Sequence, residues 1–221
     1  MSRTSILVIG DTHFPAVHPE YLNFVRKIRD KYRCNQVIHI GDVIDHHCIS
    51  FHKKHPEHPA AMDEYKSALK AISKWKSVFP SMKICIGNHD ERVARLAADA
   101  GIPDIYLRQW NELYDTPGWE WDWGHTIDNV LYTHGTGSSS AYPAFNAAKS
   151  RAMSVVMGHS HSVANINWLV GPSTRFFGMN VGSGVDREHI SMRYGVNYMK
   201  KPVISCGVVV DGHPYLELMN L

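Results

Sequence analysis

The stretch Ser5-Ile6-Leu7-Val8-Ile9-Gly10-Asp11-Thr12-His13 sets the pattern on which most of the chain is built. Its first five residues are a continuous apolar run, which predicts a strand buried on both faces. The run ends in an Asp-x-His, and a carboxylate with an imidazole two residues later is a compact pair of donors for a divalent metal. Taken alone, the pair also fits a simple turn after Gly10.

An apolar run that ends in polar donor residues occurs four more times. The other instances are Gln36–Ile40 before Gly41-Asp42-Val43-Ile44-Asp45, Met82–Ile86 before Gly87-Asn88-His89-Asp90, Val130–Thr133 before His134-Gly135, and Val155–Met157 before Gly158-His159-Ser160-His161. Open α/β sheets place their sites at the carboxyl ends of strands, so these ends are expected to meet. In an extended segment, His159 and His161 would point to the same side.

Between several of these strands, apolar residues recur at helical spacing. This spacing predicts helices over 19–32, 63–79, 91–100 and 141–151. Strand, loop and helix in alternation indicate βαβ units and an α/β fold. After residue 161 the pattern changes to strands without long helices, predicted at 164–170, 175–181, 203–210 and 215–219, with a hairpin turn at Asp211-Gly212. No linker interrupts the chain, so residues 1–221 are interpreted as a single domain.

The composition is that of an ordinary globular protein. The 221 residues are 44% hydrophobic and carry a formal net charge of +2, so charge alone does not point to nucleic-acid binding. Cys34, Cys48, Cys85 and Cys206 form no CxxC pair, which favours reduced thiols and a cytoplasmic location. No signal peptide is recognised, and no apolar run approaches the roughly 18 residues of a membrane helix, so no membrane partner is expected.

The 15 histidines are the unusual feature of the composition, and five of them lie in residues 46–60: His46, His47, His52, His55 and His58. The prolines in this stretch predict a loop. The loop is interpreted either as a solvated, mobile segment or as the edge of an active site at which His46 and His47 contact substrate.

Three tryptophans, Trp119, Trp121 and Trp123, alternate with acidic residues. The alternation predicts that the three rings line one face of a strand. A face that packs inside the protein is favoured over a face that binds nucleobases.

The five polar stretches are Asp-x-His, Gly-Asp-x-x-Asp, Gly-Asn-His-Asp, His-Gly and Gly-His-x-His, each after a strand. In this order they resemble the motifs of the calcineurin-like metallophosphoesterase superfamily. The resemblance implies a two-sheet α-β-β-α sandwich with a strand-rich C-terminal part. It also implies a metal-dependent hydrolase that cleaves a phosphoester.

The resemblance implies two divalent metal ions, which a shared carboxylate would bridge. One ion would be held by Asp11, His13, Asp42 and His161, and the other by Asp42, Asn88, His134 and His159. Oxygen and imidazole ligands without thiolate suit Mn²⁺, the expected ion, with Fe, Zn²⁺ or Ni²⁺ as alternatives. A hydroxide that bridges the two ions would attack phosphorus in line.

The resemblance also gives roles to residues that would not bind metal. His89 would lie near the leaving oxygen as a general acid or electrostatic stabiliser. Asp45 would hydrogen-bond the His89 ring and hold it protonated and oriented. Apart from the resemblance, Asp90 is expected either to support the loop as scaffolding or, as the preferred interpretation, to cap the helix that follows it.

The chain departs from the protein serine/threonine phosphatases of the superfamily. Those enzymes carry Asp-Arg-Gly where this chain has Asp45-His46-His47, so their phosphate-clamping arginine is absent here. They also carry Glu at the position of Asp90. His46 is the candidate replacement for the clamp, either protonated or through neutral hydrogen bonds, which would make the activity sensitive to pH.

These departures favour a compact phosphodiesterase that acts on a nucleotide or nucleic-acid-type substrate. The motif forms are more similar to bacterial phosphodiesterases and repair nucleases, but those nucleases carry a capping domain for which 221 residues leave little room. The alternatives are a phosphomonoesterase and a non-catalytic protein-binding scaffold on the same fold. Retention of every candidate ligand favours the enzyme.

Overall fold

The computed structural model describes residues 3–51, 54–195 and 197–220, so His52 of the histidine-rich loop lies outside the described residues. The described strands are β1 (Ser5–Ile9), β2 (Gln36–His39), β3 (Met82–Cys85), β4 (Trp119–Asp122), β5 (Gly124–Ile127), β6 (Val130–Thr133), β7 (Ser154–Met157), β8 (Ala164–Val170), β9 (Arg175–Val181), β10 (Ser205–Val210) and β11 (His213–Leu218). The described helices are α1 (Tyr21–Tyr32), α2 (Ala61–Val78), α3 (Arg92–Asp99), α4 (Trp110–Leu113) and α5 (Pro143–Arg151).

The strands form two mixed sheets. The first has the order β11-β10-β1-β2-β3-β4, and the second has the order β5-β6-β7-β9-β8. In the first sheet β1 to β4 run parallel, while β10 and β11 are antiparallel additions. In the second sheet β6, β7 and β9 run parallel, with antiparallel strands at both edges. Each parallel set delivers its carboxyl ends to one edge of its sheet.

The core between the two sheets is built from alternate strand residues. Ile6 and Val8 of β1 join the same buried cluster as Tyr132, Val156 and other residues of the second sheet. Leu7 and Ile9 point the other way and pack with α1 and α2. The run 5–9 is therefore apolar throughout because both of its faces are covered, as the sequence predicted.

Helices cover the outer face of each sheet. Tyr21, Val25 and Ile28 of α1 and Ile72 and Trp75 of α2 pack on the first sheet. Ala144 and Ala148 of α5 pack on Val155, Met157 and Phe176 of the second sheet. The arrangement is an α-β-β-α sandwich, which confirms the predicted fold class.

The predicted boundaries hold to within a few residues. Helix α1 begins at Tyr21, so Pro19 precedes the helix instead of occupying its first turn. Trp119 is buried and Trp121 packs beside the same core, which confirms the packing interpretation for these two rings. Trp123 lies beyond β4 and is 54% exposed. None of the described helices combines the length and the apolar character needed to cross a membrane.

We expect the buried hydroxyl of Tyr21 to be a measurable source of stability. It accepts a hydrogen bond from the Gly10 N–H at 3.0 Å and donates one to the Ser205 carbonyl at 2.7 Å, which joins α1, β1 and β10. Tyr21→Phe leaves both backbone groups without this partner and is expected to lower the free energy of unfolding by about 1–3 kcal/mol. Urea denaturation measures the difference, and Tyr106→Phe, at a ring that is 77% exposed, is the matched control.

Candidate metal centre

The carboxyl ends of five strands converge at one place, where the edges of the two sheets meet. Strands β1, β2 and β3 of the first sheet lead into Asp11, Asp42 and Asn88. Strands β6 and β7 of the second sheet lead into His134 and the 158–161 loop. Two pairs of atoms span the sheets: His134 Nδ1 lies 3.0 Å from the Ile40 carbonyl oxygen, and the His159 N–H donates to Asp11 Oδ2 at 2.9 Å.

The first group of donors is Asp11, His13, Asp42 and His161, whose ligand atoms all lie within 4.8 Å of one another. His13 Nε2 is 3.0 Å from His161 Nε2 and 3.5 Å from Asp42 Oδ2. His161 Nε2 is 3.2 Å from Asp11 Oδ2. This is the set that the family resemblance implies for one ion.

The second group is Asp42, His134 and His159, and it shares Asp42 with the first. His134 Nε2 is 3.2 Å from Asp42 Oδ2 and 3.1 Å from His159 Nδ1. Asn88 Oδ1 joins the group at 3.0 Å from His134 Nε2. The structure thus brings all seven predicted ligands together and places the Asp42 carboxylate between the two groups.

Hydrogen bonds outside the donor groups orient two of the imidazoles. His134 Nδ1 lies 3.0 Å from the Ile40 carbonyl oxygen, so it carries the proton and leaves the Nε2 lone pair for a metal. His13 Nδ1 lies 3.1 Å from Asp45 Oδ1 and is fixed in the same way. Such partners set the tautomer and the ring orientation of metal-binding histidines.

The donor groups fit divalent cations. Asp11 Oδ1 and Asp45 Oδ2 are buried, and neither has a hydrogen-bond partner among the described residues. Facing imidazole nitrogens, such as those of His13 and His161, repel unless a proton or a cation lies between them. Carboxylate, amide oxygen and imidazole are ligands that Mn²⁺, Fe and Zn²⁺ accept.

The electrostatics of the centre favour positive charge. Burial would raise the pKa of the Asp42 carboxyl, but the rings of His134 and His89 hold it well below its ordinary value. Burial would lower the pKa of His134, yet the Asp42 and Asp11 carboxylates raise it to about 9. The same field that favours a proton on His134 would attract a divalent ion.

Three of the seven donors have a backbone in the left-handed region. The φ angles of His13, Asp42 and His159 are +46°, +50° and +63°. Each such conformation costs about 1–3 kcal/mol for a residue with a side chain and persists only where the surroundings enforce it. The backbone therefore departs from an extended conformation at His159, and His159 and His161 enter different donor groups, as the resemblance implies.

Two glycines allow the strand ends to approach each other closely. A Cβ atom on Gly87 would lie 2.2 Å from Asp42 Oδ1, and one on Gly158 would lie 2.2 Å from Asp11 Oδ1. Any side chain at either position would displace a predicted ligand. Glycine is therefore needed at Gly87 and Gly158, because the neighbouring loop leaves no room for a side chain.

His89 lies beside the donor groups and contacts Asp45, as the resemblance implies. Its Nδ1 is 2.6 Å from the Asp45 carbonyl oxygen and 3.2 Å from Asp45 Oδ1. Burial would lower the pKa of His89, but the Asp42 carboxylate and then Asp45 raise it above its ordinary value. Asp45 thus touches both His13 and His89 and aligns the two rings.

Arg92 is a site residue that the sequence analysis missed. One of its terminal nitrogens donates to the Asp45 and His46 carbonyls at 2.9 and 2.8 Å, and the other lies 3.1 Å from His89 Nε2. Arginine carries only N–H donors, so Nε2 accepts in this arrangement and the His89 proton lies on Nδ1. A proton on Nε2 requires the guanidinium to shift. The sequence signal that could have identified Arg92 as a site residue is its position three residues after His89.

The structure disfavours the protonated form of the phosphate clamp expected at His46. His46 Nε2 pairs with the Tyr114 hydroxyl at 2.8 Å, which holds the ring against α4. Burial, which outweighs the Glu64 carboxylate, lowers the pKa of His46 to about 4, so the ring is neutral near pH 7. His47 is buried, with its ring 4.4 Å from that of His58. Contact of either ring with substrate stays a prediction.

Asp90 does not cap α3, which contradicts the expectation from the sequence. Its Oδ1 accepts the N–H groups of Val43 and Ile44 at 2.9 and 3.2 Å, and its Oδ2 accepts the N–H of Gly87 at 2.9 Å. The N-cap of α3 is Glu91, which makes no side-chain capping bond. Asp90 therefore ties the loop of Asp42 to the loop of Asn88.

The family model of the calcineurin-like phosphoesterases matches residues 4–181 of the chain. The chain belongs to this family. The matched region contains all five motifs and all seven predicted ligands, so the converging strand ends described above form the metal-binding region of a metallophosphoesterase.

Several solved structures are similar to the chain at low sequence identity. A novel archaeal phosphodiesterase is 16% identical with a TM-score of 0.50, and the match covers 98% of this chain and 100% of that one. A metallophosphoesterase from Sphaerobacter thermophilus is 16% identical with a TM-score of 0.49, covering 99% and 89%. Vacuolar Protein Sorting 29 from Cryptosporidium parvum is 14% identical with a TM-score of 0.49, covering 99% and 98%. No curated protein matches the chain at a significant level.

Asp90→Asn tests the link between the two loops. An amide can accept at only one of its two positions, so an N–H group of Val43, Ile44 or Gly87 would face another donor. We expect Mn²⁺ affinity to fall by about 10–100-fold, as for other residues that orient metal ligands. Isothermal titration calorimetry with Mn²⁺ measures this affinity. Asp99→Asn, the same change at an exposed position of α3, should leave affinity unchanged; equal losses in both variants would contradict the role of Asp90.

Proposed function

We propose that this metallophosphoesterase is a dimetal phosphodiesterase that acts on a nucleotide or nucleic-acid-type substrate. The observation that carries the proposal is the complete donor set with His89 and Asp45 beside it. The centre opens into a cavity of about 820 Å³, which is lined by Asp42, Asn88, His89, His159 and His161 among others. Cavities of this size commonly hold small ligands.

Asp11, His13, Asp42 and His161 would hold one ion, and Asp42, Asn88, His134 and His159 the other. We propose Mn²⁺ as the ion, with Fe, Zn²⁺ or Ni²⁺ as alternatives, because the set has oxygen and imidazole donors and no thiolate. When bound, a pair of such ions supplies activated water and neutralises charge on a phosphoryl group. We also propose a cytoplasmic location, because the four cysteines are free thiols and reduced thiols are typical of that compartment.

In the proposal, His89 and the groups that orient it carry out the proton transfer to the leaving group. The His89 side chain is 17% exposed and lines the cavity, so it can reach a bound substrate. In the proposal it donates a proton to the leaving oxygen, while Asp45 keeps Nδ1 in place. Arg92 must move from Nε2 before that nitrogen can act as a donor.

The charge beside His89 favours a diester over a monoester. A monoester is a dianion near neutral pH and needs more compensating charge than the monoanionic diester. Arg92 is only 6% exposed, and its N–H groups already bond two carbonyl groups and the His89 ring. With His46 neutral, neither residue offers a free cation to a terminal phosphoryl group. Phosphomonoester hydrolysis is the alternative.

A protein-binding scaffold on the same fold is the second candidate from a different class. Burying charged groups costs free energy. A scaffold would gain nothing in return from buried carboxylates that face imidazoles. The retention of seven donors at such a cost favours an enzyme.

The direct test is hydrolysis of bis-p-nitrophenyl phosphate and p-nitrophenyl phosphate by metal-stripped protein, with Mn²⁺, Zn²⁺, Mg²⁺ or Ni²⁺ added back. We expect metal-dependent cleavage of the diester. Cleavage of the monoester alone would replace the proposal with a phosphatase. No cleavage of either substrate by protein with two bound ions would favour the scaffold.

His89→Ala separates catalysis from metal binding. The variant is expected to keep two metal ions and to lose about 10²–10⁴-fold in kcat, the usual contribution of a positioned proton donor. Metal content by mass spectrometry and turnover of the diester are the measurements. His213→Ala, at an exposed position on β11, is the control, and full turnover in the His89 variant would remove this residue from the mechanism.

Asp42→Ala removes the carboxylate that both donor groups share. We expect the metal content to fall below two ions per chain, with activity lost as a consequence. Two tightly bound ions in this variant would contradict the bridging role. Circular dichroism of the variant checks that the loss of metal does not reflect unfolding.

A further inference from the structure

The described residues of the segment 186–202 form the wall of the cavity that faces the candidate metal centre. This segment follows the family-matched region, which ends at residue 181. It contributes Arg187, Glu188, Tyr198, Lys200 and Lys201 to the lining of the cavity. The wall therefore lies outside the region that the family model matches.

The wall segment carries four basic residues and two acidic residues, Asp186 and Glu188, so its formal charge is positive. Arg187 Nε bonds Glu188 Oε1 at 3.1 Å, so these two charges largely offset each other. Lys201 Nζ donates to the Gly195 carbonyl at 3.3 Å, and the residue lines the cavity. Lys200 is exposed and takes part in no ion pair found among the described residues. The two lysines thus present a cationic edge to any ligand in the cavity.

An aromatic ring lies next to this cationic edge. Tyr198 is 58% exposed and lines the same cavity as His89 and the donor residues. Exposed aromatic rings beside lysines are the usual platform on which single-stranded nucleotides stack while their phosphates meet the cations. An acidic peptide would use the lysines but would gain little from the ring.

A neighbouring cavity limits how far a polyanion can extend. This second cavity, about 670 Å³, shares Arg187, Glu188 and Pro202 with the first. Its other charged lining residues include Glu20, Asp186 and Lys27, so its acidic groups outnumber its basic groups. The formal charge of the lining is net positive in the first cavity and net negative in the second, which suits one additional phosphate better than a long strand.

We propose that Lys200 and Lys201 form a subsite for a second phosphate and that Tyr198 stacks on the nucleobase between the two phosphates. The substrate class is then a short oligonucleotide whose scissile diester has a phosphate one nucleotide away. This inference rests on the proposed phosphodiesterase function and specifies its substrate.

Dithymidine compounds test the second-phosphate subsite with Mn²⁺-loaded protein. TpT has only the scissile diester, pTpT adds a 5′ phosphate, and TpTp adds a 3′ phosphate. Chromatography separates diester cleavage from removal of the end phosphate. We expect kcat/KM for diester cleavage of pTpT or TpTp to exceed that of TpT by about tenfold or more, as charge-assisted contacts provide. This advantage should shrink as salt is added.

The variant Lys200→Ala/Lys201→Ala should abolish the advantage of the second phosphate. The matched control is Lys70→Ala/Lys74→Ala, which removes the same charge from exposed positions of α2 and should preserve the advantage. Tyr198→Ala should lower kcat/KM for TpT, because it removes the ring on which the base stacks, whereas Tyr106→Ala, at an exposed ring outside the cavity lining, should not.

Three outcomes would overturn the subsite. These are equal rates for TpT, pTpT and TpTp, an advantage that survives in the double lysine variant, and faster hydrolysis of an acidic phosphopeptide than of any dithymidine compound. Wild-type cleavage of bis-p-nitrophenyl phosphate keeps the two proposals apart. If it occurs without a preference for a second phosphate, the subsite is wrong and the phosphodiesterase stands. If it fails with two metal ions bound, the proposed function itself fails.

Discussion

The charge of the Asp11 and Asp42 carboxylates is the constraint on which the rest of the structure depends. Both side chains are almost completely buried, and burial of a charge is tolerated only when opposite charge or hydrogen-bond donors surround it. Imidazoles meet both carboxylates, and the N–H groups of His159 and His89 donate to Asp11 and Asp42. The seven donors form one electrostatic unit, and a change at any of them alters the environment of the others.

This unit also joins the two sheets. The Gly184 N–H donates to the Asp11 carbonyl at 2.7 Å, so the segment after β9 is tied to the end of β1. The His134 ring reaches from the end of β6 to the Ile40 carbonyl after β2. Metal binding and the packing of the sandwich are therefore expected to be thermodynamically linked, since the same residues serve both.

Several residues that shape the site lie around the donors and not among them. Asp90 links two ligand loops through three backbone N–H groups, and Arg92 reaches the carbonyls of Asp45 and His46 from α3. Arg92 thus brings an arginine to the site from a different position than the family clamp. The 46–60 loop also packs on the cavity wall, where His58 contacts Ser191 and Arg193 contacts His55.

The sequence by itself determined most of the strands, the main helices and the seven converging donors, but not β5. Apolar runs and polar strand ends are local patterns, and parallel strands bring their carboxyl ends to one edge of a sheet. Only the tertiary structure decided the roles of Asp90, Arg92, His46 and the 186–202 wall. Their partners lie far away in sequence, as when Asp90 bonds Val43 and His46 bonds Tyr114. A side chain's partner and its pKa depend on which groups folding places beside it, and residue order alone does not specify that.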